Sequence, residues 1–291
     1  MRTEEHATPK AAPDREDRET TGARRFLYPG VIAAVVCVVV LIAGGSVVAW
    51  NRWWRKAGPS NPSENCPAVV RARGGRPVLS SGVHRVALIG DSIMVQPSCA
   101  LADSLAGIGI TTYRDAVSGT GLLNGSVDWL AQTKTILRTQ HPDVVVAIFV
   151  GNYWAPGITD AHGRAIPVDT PAFFAAWQQR ATLLSAEVRA AHARLYWVSP
   201  PPIALPPLMH AQRLFEGYER IPGDHVLDSG HVLGGAGGKE VASKSTCGNV
   251  KVVRSPLDFT HLTEDGARIY GQQIAHDLGA DLGVFTSPRP C

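Results

Sequence analysis

Three short stretches hold residue types that could do chemistry together. The first is Gly90, Asp91 and Ser92, directly after an apolar run. Glycine admits a tight turn that a Cβ would obstruct. A serine in the first turn of a following helix lies near the positive end of the helix dipole, and it acts as a nucleophile once a base reaches it. The same tripeptide also suits an ordinary helix start, because Asp and Ser are favoured N-caps. The second stretch is Asp258, Phe259, Thr260 and His261. Histidine takes a proton near neutral pH. A carboxylate three residues earlier can fold back on its ring and hold its tautomer, as a Ser-His-Asp triad requires. A capped helix start would use these residues too, with Thr260 or Asp258 satisfying orphan amides. The third stretch is Gly151, Asn152, Tyr153 and Trp154. There the Asn152 amide could donate to an oxyanion, or Asn152 could turn the chain in the left-handed region that Asn tolerates.

These stretches need a scaffold that brings them together. Residues 84–89, 110–116, 143–150 and 195–198 read as strands, with 251–253 as a weaker fifth. Residues 93–106, 127–139, 171–193 and 263–278 read as helices. Strands that are apolar throughout suit a parallel sheet covered on both faces. Strand and helix in alternation give a doubly wound α/β sandwich around a mainly parallel five-stranded sheet. In such sheets sites form outside the carboxyl ends of the strands, where these stretches fall. Trp129 and Trp177 lie in helical patterns and read as core, whereas Trp154 sits in the loop beside Asn152 and is the candidate for substrate contact. No G-x-S-x-G surrounds any serine, which argues against the α/β-hydrolase nucleophile elbow.

In this order the blocks resemble the SGNH hydrolase family, also named for its GDSL motif. Gly90, Asp91 and Ser92 match its first block, and Asp258 with His261 match its last. The segment from Asp115 to Gly119 resembles its second block, with Gly119 as the candidate backbone oxyanion donor and Gly121 as an alternative. There are two departures. Ile93 stands where the family has Leu, and Asn152 directly follows Gly151, with Tyr153 in place of an Asp. The resemblance spans residues 84–280. It implies an SGNH, flavodoxin-like fold and acyl chemistry without metal or organic cofactor. In that chemistry Ser92 attacks an ester carbonyl, His261 takes the proton and Asp258 orients His261. The Ser92 and Gly119 amides, with Asn152, hold the oxyanion.

The rest of the chain bears on location. Residues 1–25 are polar and charge-dense, and 1–29 read as a disordered cytoplasmic tail. Residues 31–49 carry no charge and are long enough to cross a bilayer, which makes 30–50 a transmembrane anchor. Trp50, Trp53 and Trp54 follow as an interfacial belt. More basic residues precede the run than follow it, which favours a tail inside and a domain outside. A cleaved secretion signal is the alternative. Residues 51–82 read as linker and 83–291 as the SGNH-like domain. Besides Cys37 in the apolar run, the chain has Cys66, Cys99, Cys247 and Cys291, at spacings that suit no zinc site. Outside the cytoplasm they would form two disulfides, expected as Cys66–Cys291 and Cys99–Cys247. The net charge of +3, without a basic stripe, gives no nucleic-acid signal. The expected activity is therefore an exported serine O-acyl esterase or acyltransferase acting on acylated cell-envelope glycan or lipid. The alternative is a non-catalytic SGNH-shaped glycan-binding or envelope-assembly scaffold.

Overall fold

The computed structural model describes residues 66–73, 82–123, 126–152, 158–160, 162–204 and 211–284. The tail 1–29, the apolar run 30–50 and Trp154 lie outside them, as does most of the segment read as linker. Among the described residues no helix is long and apolar enough to cross a membrane.

In chain order the elements are β1 (Val69–Val70), β2 (Arg85–Gly90), α1 (Ser92–Val95), α2 (Ser98–Gly107), β3 (Thr111–Ala116), α3 (Trp129–Gln140) and β4 (Val144–Ile148). They continue with α4 (Pro171–Ala190), β5 (Arg194–Val198), α5 (Ala211–Tyr218), β6 (His225–Leu227), β7 (Ser243–Thr246), β8 (Asn249–Val252) and α6 (Glu264–Asp281). The main sheet has six strands in the order β1-β3-β2-β4-β5-β6. Five of them, β2 to β6, are parallel, and only β1 runs antiparallel, on β3.

The sequence pattern explains the layers. Side chains alternate across a sheet, and every residue of β4 is buried. Val144 and Val146 join Val86, Leu88, Tyr196 and Val198 on one face, under Leu101 and Leu105 of α2 and Tyr270 and Ile274 of α6. Val145 and Ala147 join Ala87, Ile89, Leu195 and Trp197 on the other, under Ile136 of α3 and Phe173, Trp177 and Leu184 of α4. Each such Val, Leu, Ile or Phe side chain stabilises the fold by roughly 1.5–3 kcal/mol when fully buried. Trp129 and Trp177 are both buried, as their helical spacing predicts. Helix starts are capped by side chains: Asp128 for α3, Thr170 for α4 and Thr263 for α6.

Four expectations need correction. The fifth parallel strand is β6, not 251–253; those residues lie at the end of a separate two-stranded hairpin, β7–β8, and just beyond it. At three residues β6 is too short to show a period. The helix expected over 93–106 is two helices, because Pro97 has no N–H to continue the first. Helix α5 was not foreseen. Finally, part of the expected linker is folded: β1 pairs Val69 with Tyr113 and Val70 with Thr112. The Arg114 guanidinium reinforces this edge by donating to the carbonyls of Cys66 and Pro67, at 2.7 and 3.1 Å. That placement also overturns the expected disulfides. Cys66 is carried back beside α2 and is bonded to Cys99, with Cα atoms 5.8 Å apart. Closing a loop across that separation of 33 residues stabilises by about 3–4 kcal/mol in the chain-entropy account. Cys247 is also disulfide-bonded.

Candidate active site

Strand order brings the chemistry-bearing stretches together. β2 lies between β3 and β4, so the loops leaving the carboxyl ends of those two strands flank the turn after β2. Ser92 leaves that central turn. Gly119 lies in the loop after β3, and Asn152 in the loop after β4.

The central turn depends on Gly90. Its φ is +153°, and a Cβ there would sit 2.1 Å from the Ile148 carbonyl oxygen of the neighbouring strand. This close approach is why glycine is required. Asp91, fully buried, caps α1 by accepting from the Ile93 N–H at 2.9 Å. Its other carboxylate oxygen accepts from the N–H groups of Val150 and Gly151, at 2.5 and 2.8 Å. One carboxylate therefore binds the nucleophile turn to the start of the Asn152 loop. Burial pushes the Asp91 carboxyl above its ordinary value, against these three N–H donors and the charge at His261.

His261 approaches from the chain just before α6. Its Nε2 lies 3.0 Å from Ser92 Oγ, and its Nδ1 lies 2.6 Å from Asp258 Oδ2. Asp258 Oδ1 accepts the backbone N–H groups of Thr260 and His261, each at 3.0 Å, so the carboxylate also shapes the turn that carries the ring. Burial alone would raise the Asp258 carboxyl. The His261 ring, its N–H, its charge and the Thr260 N–H outweigh burial and hold the carboxyl below its ordinary value. The three residues thus form a continuous hydrogen-bonded relay, Ser92 to His261 to Asp258.

Two residues that sequence reasoning missed hold this turn in place. Gln96, at the end of α1, bonds Leu262 through both backbone groups: its Oε1 accepts from the Leu262 N–H at 3.0 Å, and its Nε2 donates to the carbonyl at 3.4 Å. This clamps the residue after His261 to the nucleophile's own helix. Arg254, 1% exposed, donates to the Thr260 carbonyl at 2.8 Å and to the Pro202 carbonyl in the loop after β5. Burial lowers its guanidinium from the ordinary value, opposed by the nearby Glu240, Tyr270 and Asp258. Neither residue belongs to a motif, and their partners are backbone groups that leave no pattern in the sequence. Asp91 was legible as part of its motif, but not for its reach to Val150 and Gly151.

The flanking loops are tied to each other. Asn152, at φ +69°, donates its side-chain amide to the Thr120 carbonyl at 2.6 Å. One bond of this amide, read in the sequence as an oxyanion donor, therefore spans to the Gly119 loop. Gly119 has φ +78°, which suits glycine.

A parallel α/β sandwich with a Ser-His-Asp relay at the carboxyl end of its central strand is the SGNH-type arrangement that the sequence resembles. Over residues 85–277 the chain matches the DUF459 family, described as a protein of unknown function, and it belongs to that family. No curated protein matches it. Similar solved structures include an acetyl xylan esterase from Geobacillus stearothermophilus, at 14% identity over 72% of this chain and 99% of that one, with a TM-score of 0.48. A psychrotrophic esterase from a Pseudoalteromonas species is similar at 14% identity over 69% and 99%, with a TM-score of 0.47. A GDSL-like lipase from Bacteroides thetaiotaomicron is similar at 14% identity over 70% and 92%, with a TM-score of 0.45.

Proposed function

We propose that the chain is a serine O-acyl esterase or acyltransferase that works through an acyl-enzyme. The observation that carries this reading is the relay itself, with 3.0 Å from His261 Nε2 to Ser92 Oγ and 2.6 Å from its Nδ1 to Asp258. Ser92 Oγ bonds to the carbonyl carbon of an ester while its proton passes to His261 Nε2. Asp258 keeps Nδ1 protonated and stabilises the imidazolium that forms. The carbonyl oxygen becomes an oxyanion, held by the Ser92 and Gly119 N–H groups and by Asn152 from the facing loop. His261 returns the proton to the departing alcohol oxygen. Water, or a second alcohol in a transferase, then attacks the acyl-Ser92 by the same steps in reverse.

The substrate we favour is an acylated envelope glycan or lipid, met outside the cytoplasm by a domain tethered through residues 30–50; its support is the uncharged run 31–49 and its aromatic flank. The second reading, a non-catalytic glycan-binding or assembly scaffold, is favoured by one observation: the Asn152 amide is engaged with Thr120. Labelling with a fluorophosphonate probe decides between them. Ser92 in the wild-type chain should be labelled, and Ser92→Ala should fold normally yet turn over acyl esters at least about a thousandfold more slowly. A folded wild-type chain that no probe labels, or a Ser92→Ala variant with wild-type turnover, would leave only the scaffold.

A further inference from the structure

Three exposed apolar residues lie on the segments that carry or flank the relay. Val117, Leu257 and Phe259 are all exposed. Val117 directly follows β3, and its N–H donates to the Gly90 carbonyl at 2.9 Å. Leu257 and Phe259 bracket Asp258. Phe259 stands apart because it is both exposed, at 53%, and held at φ +54°. In that left-handed region a bulky L-residue is disfavoured, while glycine fits without cost. The turn enforces the conformation. The Phe259 N–H donates to the Ser255 carbonyl at 2.9 Å, and the next two N–H groups both converge on Asp258 Oδ1. Thr260 is consequently buried, and Phe259 occupies the outer apex. A ring in solvent adds nothing to the core, and a turn residue chosen only for its backbone would be Gly or Asn. Strain kept at such a position points to use. Phe259 lies two positions before His261, with only Thr260 between them, at most about 7 Å between Cα atoms.

The direction of proton transfer says which half of an ester meets this ring. Ser92 Oγ bonds to the carbonyl carbon and gives its proton to His261 Nε2. When the bond from that carbon to the alcohol oxygen breaks, the acyl group stays on Ser92 and the same proton goes to the departing oxygen. That oxygen must therefore face His261, while the oxyanion faces the loops after β3 and β4. Phe259 rides on the turn of His261 and so lies on the alcohol side. We infer that Phe259 is a substrate-contact residue for the alcohol half of the ester, and that this alcohol presents a flat apolar face, a pyranose or an aryl ring, for the aromatic ring to stack on. This rests on the acyl-transfer reading of the site.

The full chain with Phe259→Gly and with Phe259→Tyr tests it, read as protection of Ser92 from a fluorophosphonate probe. The group that leaves this probe is fluoride and not an alcohol, so its rate without competitor should be the same in all three proteins. Glycine is at home at φ +54°, so Phe259→Gly should fold at least as well as wild type. The concentration of an O-acetyl pyranoside or of phenyl acetate that halves labelling should rise about tenfold in Phe259→Gly and return in Phe259→Tyr, as loss and restoration of one aromatic contact require. That of ethyl acetate should not change. Whichever ring ester shows the rise identifies the alcohol. The inference is overturned if neither ring ester shows a rise, if ethyl acetate shifts equally, if no ester protects the wild type, or if Phe259→Gly is labelled more slowly without competitor. A wild-type chain that the probe does not label refutes the acyl-transfer reading instead, so the two failures are distinct.

Discussion

The two halves of the relay are fixed by opposite means. On the Ser92 side a buried anion gathers backbone donors: Asp91 accepts from Ile93, Val150 and Gly151. On the His261 side a buried cation gathers backbone acceptors: Arg254 donates to Thr260 and Pro202. Among the described residues neither charge has an opposite charge within ion-pair distance, so each is stabilised mainly by peptide dipoles. Such charges would be expensive if left alone. Ionised groups make the stronger hydrogen bonds, and each here fixes a loop that has no regular structure of its own. The consequences differ. Asp91 lies one residue from Ser92 and reaches the loop that carries Asn152. Arg254 lies four residues from Asp258 and acts only through the turn, with Gln96 as a second restraint.

Removing the Asp91 charge should therefore do the greater damage. Asp91→Asn keeps the shape but replaces one accepting oxygen with a donor, facing either the Ile93 N–H or those of Val150 and Gly151. Either the start of α1 or the loop after β4 must then shift, and a displacement of about 1 Å near reacting atoms costs on the order of a hundredfold in rate. Ester turnover and fluorophosphonate labelling should fall together by about that factor, with the far-UV circular dichroism unchanged. Retention of full activity would mean that the flanking loop is held by its own contacts, such as that of Asn152 with Thr120.

Arg254→Met should act more mildly on rate and more on stability. It leaves the Thr260 and Pro202 carbonyls without their donor, at a cost of about 1–3 kcal/mol for each buried group left unpaired. It also removes a buried charge whose Nε has no partner, which offsets part of that loss. A urea-unfolding midpoint below wild type is expected, with labelling of Ser92 slowed about tenfold, because Gln96 still clamps Leu262. If Arg254→Met were as slow as Asp91→Asn, the contrast between the two halves would collapse.

This contrast also explains what could be read from the sequence. Strands β2, β4 and β5 announce themselves by apolar runs, and the four longer helices by their period. Ser92, Asp258 and His261 were legible because their chemistry demands particular residue types at particular spacings. Gly90 was legible as the residue that admits a tight turn before Ser92, and the structure adds that the obstruction to a Cβ is the Ile148 carbonyl. β1, β6 and the Cys66–Cys99 bond were not, since a two- or three-residue strand has no period and a disulfide depends on which edge the chain returns to. Arg254 and Gln96 escaped notice for a different reason. Each bonds to main-chain groups, which every residue supplies, so the partner leaves no mark on composition or spacing.

The smallest effect, and the most diagnostic, is the response to acid, because the two carboxylates should contribute with opposite sign. The folded Asp258 carboxyl titrates below its ordinary value of 3.8. Between that folded value and 3.8 the unfolded chain binds the proton and the folded one does not, so stability rises with pH there. Its contribution is present above pH 3.8 and is lost as pH falls through the folded value. The Asp91 carboxyl titrates above 3.8 in the folded chain because it is buried. Between 3.8 and its folded value the folded chain holds the extra proton, so its contribution is complete below pH 3.8 and is lost as pH rises through the folded value. Urea unfolding at a series of pH values should separate them. Asp258→Asn should flatten the loss of stability below pH 3.8, and Asp91→Asn should make the stability decline more steeply, or rise less, as pH is lowered towards 3.8. Were both substitutions to change the profile in the same direction, the three N–H donors around Asp91 would outweigh its burial. The buried anion would then be a net source of stability at neutral pH, as Asp258 is.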